Sequence, residues 1–156
     1  PLINRYRNEG EVYPDASKQD RQKELDWIDE TLKNAKEDWV ICVGHHPIYA
    51  DTGKDKEERN DMQKYLLPVL HKYGNVAIYA CGHIHNFQHI KMADDNIDYV
   101  VNSSASLSRK KVSNIEGTVF CSNDDGFSII AASKNELKMY MINNKGEVIH
   151  TITKSK

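Results

Sequence analysis

The 156-residue sequence has no apolar run approaching the ~20 residues that span a bilayer, which excludes a transmembrane helix in the sequence as given. No signal peptide is visible, although the chain starts at Pro1 rather than Met, and its start reads as an internal cut. Cysteine is scarce. Cys42, Cys81 and Cys121 are an odd number and contain no Cys-x-x-Cys pair, so neither a disulfide framework nor a thiolate metal site is indicated. Cys42 and Cys81 fall at the ends of apolar runs, where a free thiol serves as a small buried hydrophobe. Charge of one sign is not in excess. A formal net charge of -2 argues against a nucleic-acid partner held by a basic surface. Internal repeats and low-complexity tracts are also missing.

What remains is a chain with 39% hydrophobic and 28% charged residues, as in one ordinary globular domain. At this length folding buries roughly 70% of the unfolded surface. Residues 1–17 lack a sustained period and read as an extended entry segment. Ser17 to Asp20 suggests a capping box before a helix over 18–36, with Leu25, Ile28, Leu32 and Ala35 on one stripe and Trp27 beside it. The run 39–43 has no polar alternation and predicts a strand buried on both faces. A second helical pattern over 57–73 turns Met62, Leu66, Val69 or Leu70, and Tyr73 inward. Pro68 should kink it or start a fresh turn, and Gly74 should end it. Residues 76–80 predict another buried strand.

Beyond residue 86 the pattern changes to strands. Residues 87–92 and 97–101 flank Asp94-Asp95-Asn96 and read as a hairpin. Residues 102–116 read as a long loop, with the basic patch Arg109-Lys110-Lys111 as a solvated stretch. A short strand over 117–121 and a meander over 127–132, 137–142 and 147–153 complete the chain. The organisation is a single partial domain over 1–156. It has an α/β part at 18–86 and a mainly antiparallel β part at 87–156.

The chemistry sits at two strand ends. The run 39–43 leads into Gly44-His45-His46-Pro47, and the run 76–80 leads into Cys81-Gly82-His83-Ile84-His85-Asn86. One histidine at a strand end is usually a hydrogen-bonded structural residue, but two such junctions shift the reading to metal binding. Neutral imidazole is the commonest side-chain ligand for Zn and also suits Fe and Ni. Parallel strand ends are where open α/β sheets place their sites. His45, His83 and His85 are the candidate ligands, and His46 and Asn86 are candidates for the substrate side. His71, His89 and His150 read as structural. Three neutral ligands alone would leave an ion's charge unbalanced, and a hydrolytic site adds carboxylates.

At these residues the chain resembles the C-terminal part of a calcineurin-like metallophosphoesterase, closest to the purple or tartrate-resistant acid phosphatases. Val43-Gly44-His45-His46-Pro47 matches the family's fourth motif, and Gly82-His83-Ile84-His85-Asn86 matches its fifth. The resemblance runs from about Lys18 to the C-terminus. It implies half of a four-layer α/β/β/α sandwich and two divalent or trivalent ions, Fe with Zn, Mn or Fe. His45 and His83 would bind one ion and His85 the other, and the substrate would be a phosphate monoester. An exported, extracytoplasmic location is a further implication. His46 stands where the acid phosphatases often carry Tyr, and Ile84 replaces a common Asp, so substrate preference is left open. A phosphodiesterase or nucleotidase shares both motifs and also stays open.

The family's first three motifs have no counterpart here, and with them the bridging Asp is missing. No acidic residue is expected at the site. On that reading the chain is the imidazole side of a two-metal centre and is catalytically incompetent alone. An exposed sheet edge at 39–43 or 76–80, open to self-association, is expected as well.

Overall fold

The computed structural model describes residues 2–53, 56–102, 105 and 111–156. The expected loop at Arg109-Lys110-Lys111 lies almost wholly outside these residues. Residues 1–17, expected to be extended, instead carry two short helices, α1 (Asn4–Asn8) and α2 (Pro14–Ser17). Leu2 and Ile3 ahead of them are buried, 7% and 2% exposed, and this burial draws the segment onto the domain. The long helix α3 (Arg21–Asn34) begins later than expected. Asp20 is its N-cap and accepts from the backbone N–H groups of Gln22 and Lys23 at 3.0 and 3.2 Å. Ser17 instead closes α2, so the capping box is not formed. Leu32 is buried, and Leu25 and Ile28 pack half-buried against the same core, as their spacing required.

The second helical pattern is three pieces: α4 (Lys56–Asp61), a π-helical turn (Met62–Leu66) and α5 (Leu67–His71). Pro68 is the cause. It has no N–H to give the carbonyl four residues back, and its ring crowds that carbonyl. The chain widens, and Leu67 N–H reaches Met62 O instead. Met62, Leu66 and Leu70 still point inward, at 5%, 5% and 1% exposure. Gly74 follows at φ +66, the left-handed value a helix terminator uses.

Five strands form the first sheet: β1 (Val40–Gly44), β2 (Val76–Cys81), β3 (Phe87–Ile90), β4 (Asp98–Asn102) and β5 (Thr118–Ser122). Their order is β1-β2-β4-β3-β5. β1, β2 and β4 are parallel, whereas β3 runs antiparallel to both neighbours. The β3–β4 hairpin turns where the Asp-Asp-Asn sequence placed it, with Asp94 at φ +58. The second sheet is the meander β6 (Gly126–Ala132), β7 (Glu136–Asn143) and β8 (Val148–Ser155). Along β7, Leu137, Met139 and Met141 are fully buried and alternate with half-exposed residues, the period of a sheet with one face covered.

The chain is thus layered as helices, mixed sheet, antiparallel sheet, with a core on each side of the mixed sheet. Tyr79, Cys81, Tyr99 and Val101 face Leu32, Met62, Leu66 and Leu70. Ala77, Ile78 and Val100 face Leu137, Met139, Met141 and Ile152. Ala77 and Ile78 share a side because the β1–β2 register slips there. Val40 pairs with Val76, but Ile41 pairs with Ile78, so Ala77 is an extra residue.

β1 departs from the expectation of a strand buried on both faces. It pairs on one side only, its residues are half-buried, and Val43 is 80% exposed. Of the two edges expected, at 39–43 or 76–80, the one formed is at β1. The sheets are also joined by polar groups. His89 on β3 bonds Asp98 on β4 through Nε2 at 2.7 Å and His150 on β8 through Nδ1 at 2.9 Å. Lys154 and Lys91 reach Asp98 Oδ2 at 2.5 and 3.5 Å, and Phe120 stacks on His150 with ring centroids 4.5 Å apart.

Candidate metal centre

Both strand–Gly–His junctions lie at the same end of the parallel pair, because β1 and β2 run side by side and finish with Gly44 opposite Cys81. Past them, Gly82 N–H donates to His45 O at 3.1 Å, which ties the loops together. Gly44 is required by contact. A Cβ built there would lie 2.3 Å from Tyr79 Oη, and that hydroxyl donates to His46 O at 2.8 Å. Tyr79 is 2% exposed, and burial pushes its phenol pKa far up, so it stays a neutral donor. Gly44→Ala is therefore expected to destabilise by about 1–3 kcal/mol from overpacking, plus about 1 kcal/mol for the lost hydrogen bond. Urea unfolding at fixed pH measures this.

The second loop is held from behind. Ile84 N–H donates to Gly82 O at 2.7 Å and Asn86 N–H to Ile84 O at 3.0 Å. Asn86 is 1% exposed and its Oδ1 accepts from Gln88 Nε2, so the structure gives it a supporting position rather than one on the open face. Gln88 also clasps Asp51, donating to its carbonyl at 3.0 Å and accepting from its N–H at 2.7 Å. His83 adopts φ +66, a left-handed conformation uncommon outside glycine. The loop turns there, and its ring swings back toward the first junction.

His45, His46 and His83 are brought together, with one ligand atom from each lying within 4.8 Å of the others. His83 Nδ1 is 3.2 Å from His45 Nε2, and the His46 and His83 ring centroids are 4.5 Å apart. His85 stands outside this trio, near enough for its charge to act on His45. Burial first, and then the neighbouring His83, hold the His45 pKa below its ordinary value, which favours the neutral form that ligates metal. A cavity of about 450 Å³ is lined by His45 and His46 together with Leu32, Leu66 and Tyr79.

One acidic group beside the histidines was not expected. Glu58 on α4 is 3% exposed, with Oε2 3.4 Å from His83 Nε2 and 3.6 Å from His46 Nε2. Its other oxygen, Oε1, accepts from Tyr6 Oη at 2.9 Å and from Arg5 Nη1 at 3.5 Å. Burial first, and then the hydrogen bond to Glu58, push the Tyr6 phenol up to about 12. Oε2 accepts no hydrogen bond among the described residues. Leaving a buried acceptor unpaired costs about 1–3 kcal/mol. The expectation that no acidic residue meets the histidines is thereby corrected. Glu58 lies four residues before Met62 on the same helical stripe, so the sequence held a signal: an acid at an inward position.

A family model described as calcineurin-like phosphoesterase matches residues 4–87, just over half of the chain. The chain belongs to the calcineurin-like phosphoesterases. This phosphoesterase chain is 28% identical over 134 residues to human tartrate-resistant acid phosphatase type 5, covering 80% of itself and 40% of that protein. It is also 28% identical over 127 residues to purple acid phosphatase 3 of Arabidopsis thaliana, covering 79% of itself and 34% of the relative. It therefore spans well under half the length of these relatives. Among solved structures, the Plasmodium protein titled "GAP50 the anchor in the inner membrane complex" matches with TM-score 0.74 and 29% identity, over 86% of this chain and 42% of that one. Purple acid phosphatase PPD1 from yellow lupin matches in fold, with TM-score 0.70 and 20% identity, over 83% of this chain and 28% of that one.

A calcineurin-like phosphoesterase of the purple acid phosphatase group implies a two-ion centre, and the imidazole donors present fit one side of it. Imidazole rings from two strand ends converge, and a buried carboxylate oxygen that accepts no hydrogen bond among the described residues faces them. No helix among the described residues is long and apolar enough to cross a membrane.

Proposed function

We propose that the intact protein containing these residues is a metal-dependent phosphomonoesterase of the acid-phosphatase type, and that this chain supplies the imidazole side of its centre. The observation that carries the proposal is the convergence of two strand–Gly–His junctions on one point. His45, His83 and His85 would hold the ions, Fe paired with Zn, Mn or Fe. When bound, such ions neutralise phosphoryl charge and activate water, which cleaves the ester to an alcohol and phosphate. His46, half-buried beside His83, faces the substrate in this reading. A single partial domain over 1–156, an extracytoplasmic location and self-association through the open edge of β1 belong to the same proposal.

Supplying the metal-loaded protein with an aryl phosphate and the matching diester tests the proposal. The expected result is hydrolysis that favours the monoester and disappears on chelation. Faster diester cleavage would replace the substrate class with a phosphodiester.

A second reading has its own support. The Plasmodium neighbour, 29% identical, is described as an anchor in the inner membrane complex. In that reading the chain is a catalytically silent domain. Bound ions without turnover at any loading would favour it.

A further inference from the structure

We infer that Tyr6 is a positioning residue of the site: its hydroxyl, with Glu58 behind it, holds the neutral His46 ring in its Nε2–H form. The ligand set His45, His83 and His85 stays as proposed above. The role given to Tyr6 rests on the reading that His46 faces the substrate, and it makes α1 part of the site.

A short hydrogen-bond chain carries the assignment. Tyr6 Oη lies 2.9 Å from Glu58 Oε1 and 3.2 Å from His46 Nε2. A phenol has a single proton to donate. The shorter contact is to a carboxylate, which only accepts and which binds a donor more strongly than a neutral imidazole does. The Tyr6 proton therefore goes to Glu58, and the phenol oxygen accepts from His46 Nε2–H. Burial and the bond to Glu58 keep the phenol protonated. Glu58 Oε2, 3.6 Å from the same ring nitrogen, favours the proton there as well. A neutral ring with its proton on Nε2 carries its lone pair on Nδ1, so its other polar atom is an acceptor.

Tyr6 is itself held in place. Buried Leu2 and Ile3 anchor the chain ahead of α1, and Asn4 ties it to Asp61 on α4 through two hydrogen bonds of 2.7 and 2.8 Å. Arg5 reaches the same Glu58 oxygen at 3.5 Å, and Tyr13 packs edge-on against the Tyr6 ring with centroids 4.9 Å apart. His46 is thus fixed at its backbone carbonyl by Tyr79 and at its ring by Tyr6. A ring held at both ends meets a substrate without first losing its rotamer freedom. Losing the Tyr6 hydroxyl frees the ring, and that cost falls on substrate binding more than on the chemical step.

Nitrogen-15 NMR of the intact protein, labelled in its histidines and free of metal, tests this role, with His46→Gln assigning the ring signal. At pH 8 the His46 Nε2 should carry the proton and Nδ1 the lone pair. Tyr6→Phe should mix in the Nδ1–H form and shift both ring nitrogens. Tyr13→Phe, which keeps the packed ring, should shift neither. Hydrolysis of an aryl phosphate gives a second readout. Tyr6→Phe should raise KM by about threefold or more with a smaller change in kcat, and should add nothing in a His46→Gln background. Three results would each overturn the inference: an unprotonated Nε2 in the unmodified protein, His46 signals unmoved by Tyr6→Phe while those of His89 and His150 stay native, or an unchanged KM. The expected ring signature in a protein that hydrolyses nothing would uphold it and count only against the phosphatase reading.

Discussion

On the phosphomonoesterase reading proposed above, replacing His83 with Ala in the intact protein will reduce metal-dependent hydrolysis of an aryl phosphate to background, while His83→Gly will be equally inactive yet more stable than His83→Ala by about 1 kcal/mol. The two outcomes have separate causes. Either change removes the imidazole that faces both His45 and Glu58, and a metal centre seldom survives the loss of a ligand from so small a set. Stability follows the backbone. His83 sits at φ +66, where an L side chain is strained by roughly 1–2 kcal/mol and glycine is not. Comparing the unfolding midpoints of the two inactive variants separates strain from chemistry. Equal midpoints would show that the left-handed turn stores no strain.

The second large effect lies on the opposite face of the mixed sheet. Asp98→Ala is expected to destabilise by about 3–5 kcal/mol, the range for removing one partner from a buried charge network. Asp98 is 6% exposed and takes contacts from His89, Lys91 and Lys154, so its loss removes the Nε2 partner of the buried His89 and the shared carboxylate of two half-buried ammonium groups. Burial alone would push its carboxyl up. The hydrogen bonds from His89 and Lys154 and the charges of Lys154 and Lys91 outweigh that and hold it down to about 2.

The sign of the pH dependence follows. A carboxyl depressed in the folded state contributes its full stabilisation above its unfolded value near 3.8, and loses it as pH falls toward about 2. His150 adds an earlier window. Burial first, and then His89, lower its pKa, so its protonation opposes folding and stability declines as pH drops below about 6.5. Thermal unfolding between pH 8 and pH 2 should show both phases, and the lower one should shrink in the Asp98→Ala chain, leaving the part that Asp95, also held below its ordinary value, contributes.

Much of this architecture was legible in the residues. The hairpin around Asp94-Asp95-Asn96, the inward trio Met62, Leu66 and Leu70, and the C-terminal meander all follow from local period and turn chemistry. So does the break at Pro68, though a missing N–H does not say whether the helix kinks or widens into a π turn. The open edge at β1 is one of the two that were expected; the burial of both its faces was misjudged, because an apolar run does not show what covers it. At the site, His45 and His83 were readable from their strand-end context. Glu58 was not singled out, because it lies inside the charged run Lys56-Glu57-Glu58-Arg59, and only its burial distinguishes it from Glu57. Its partners Tyr6 and Arg5 come from more than fifty residues away, on a segment with no period to read.

Gly44 and Tyr79 are a single choice made at two positions. The hydroxyl of one occupies the space that a side chain on the other would need, and that same hydroxyl fixes the carbonyl of His46. Neither residue is free to vary alone without moving the first histidine loop. A variant library randomised at position 44 alone should return glycine, whereas one randomised at both should also return pairs in which a smaller side chain at 79 admits a larger one at 44. The two histidine junctions would thus drift together or not at all, because their strands share this one atom-sized space.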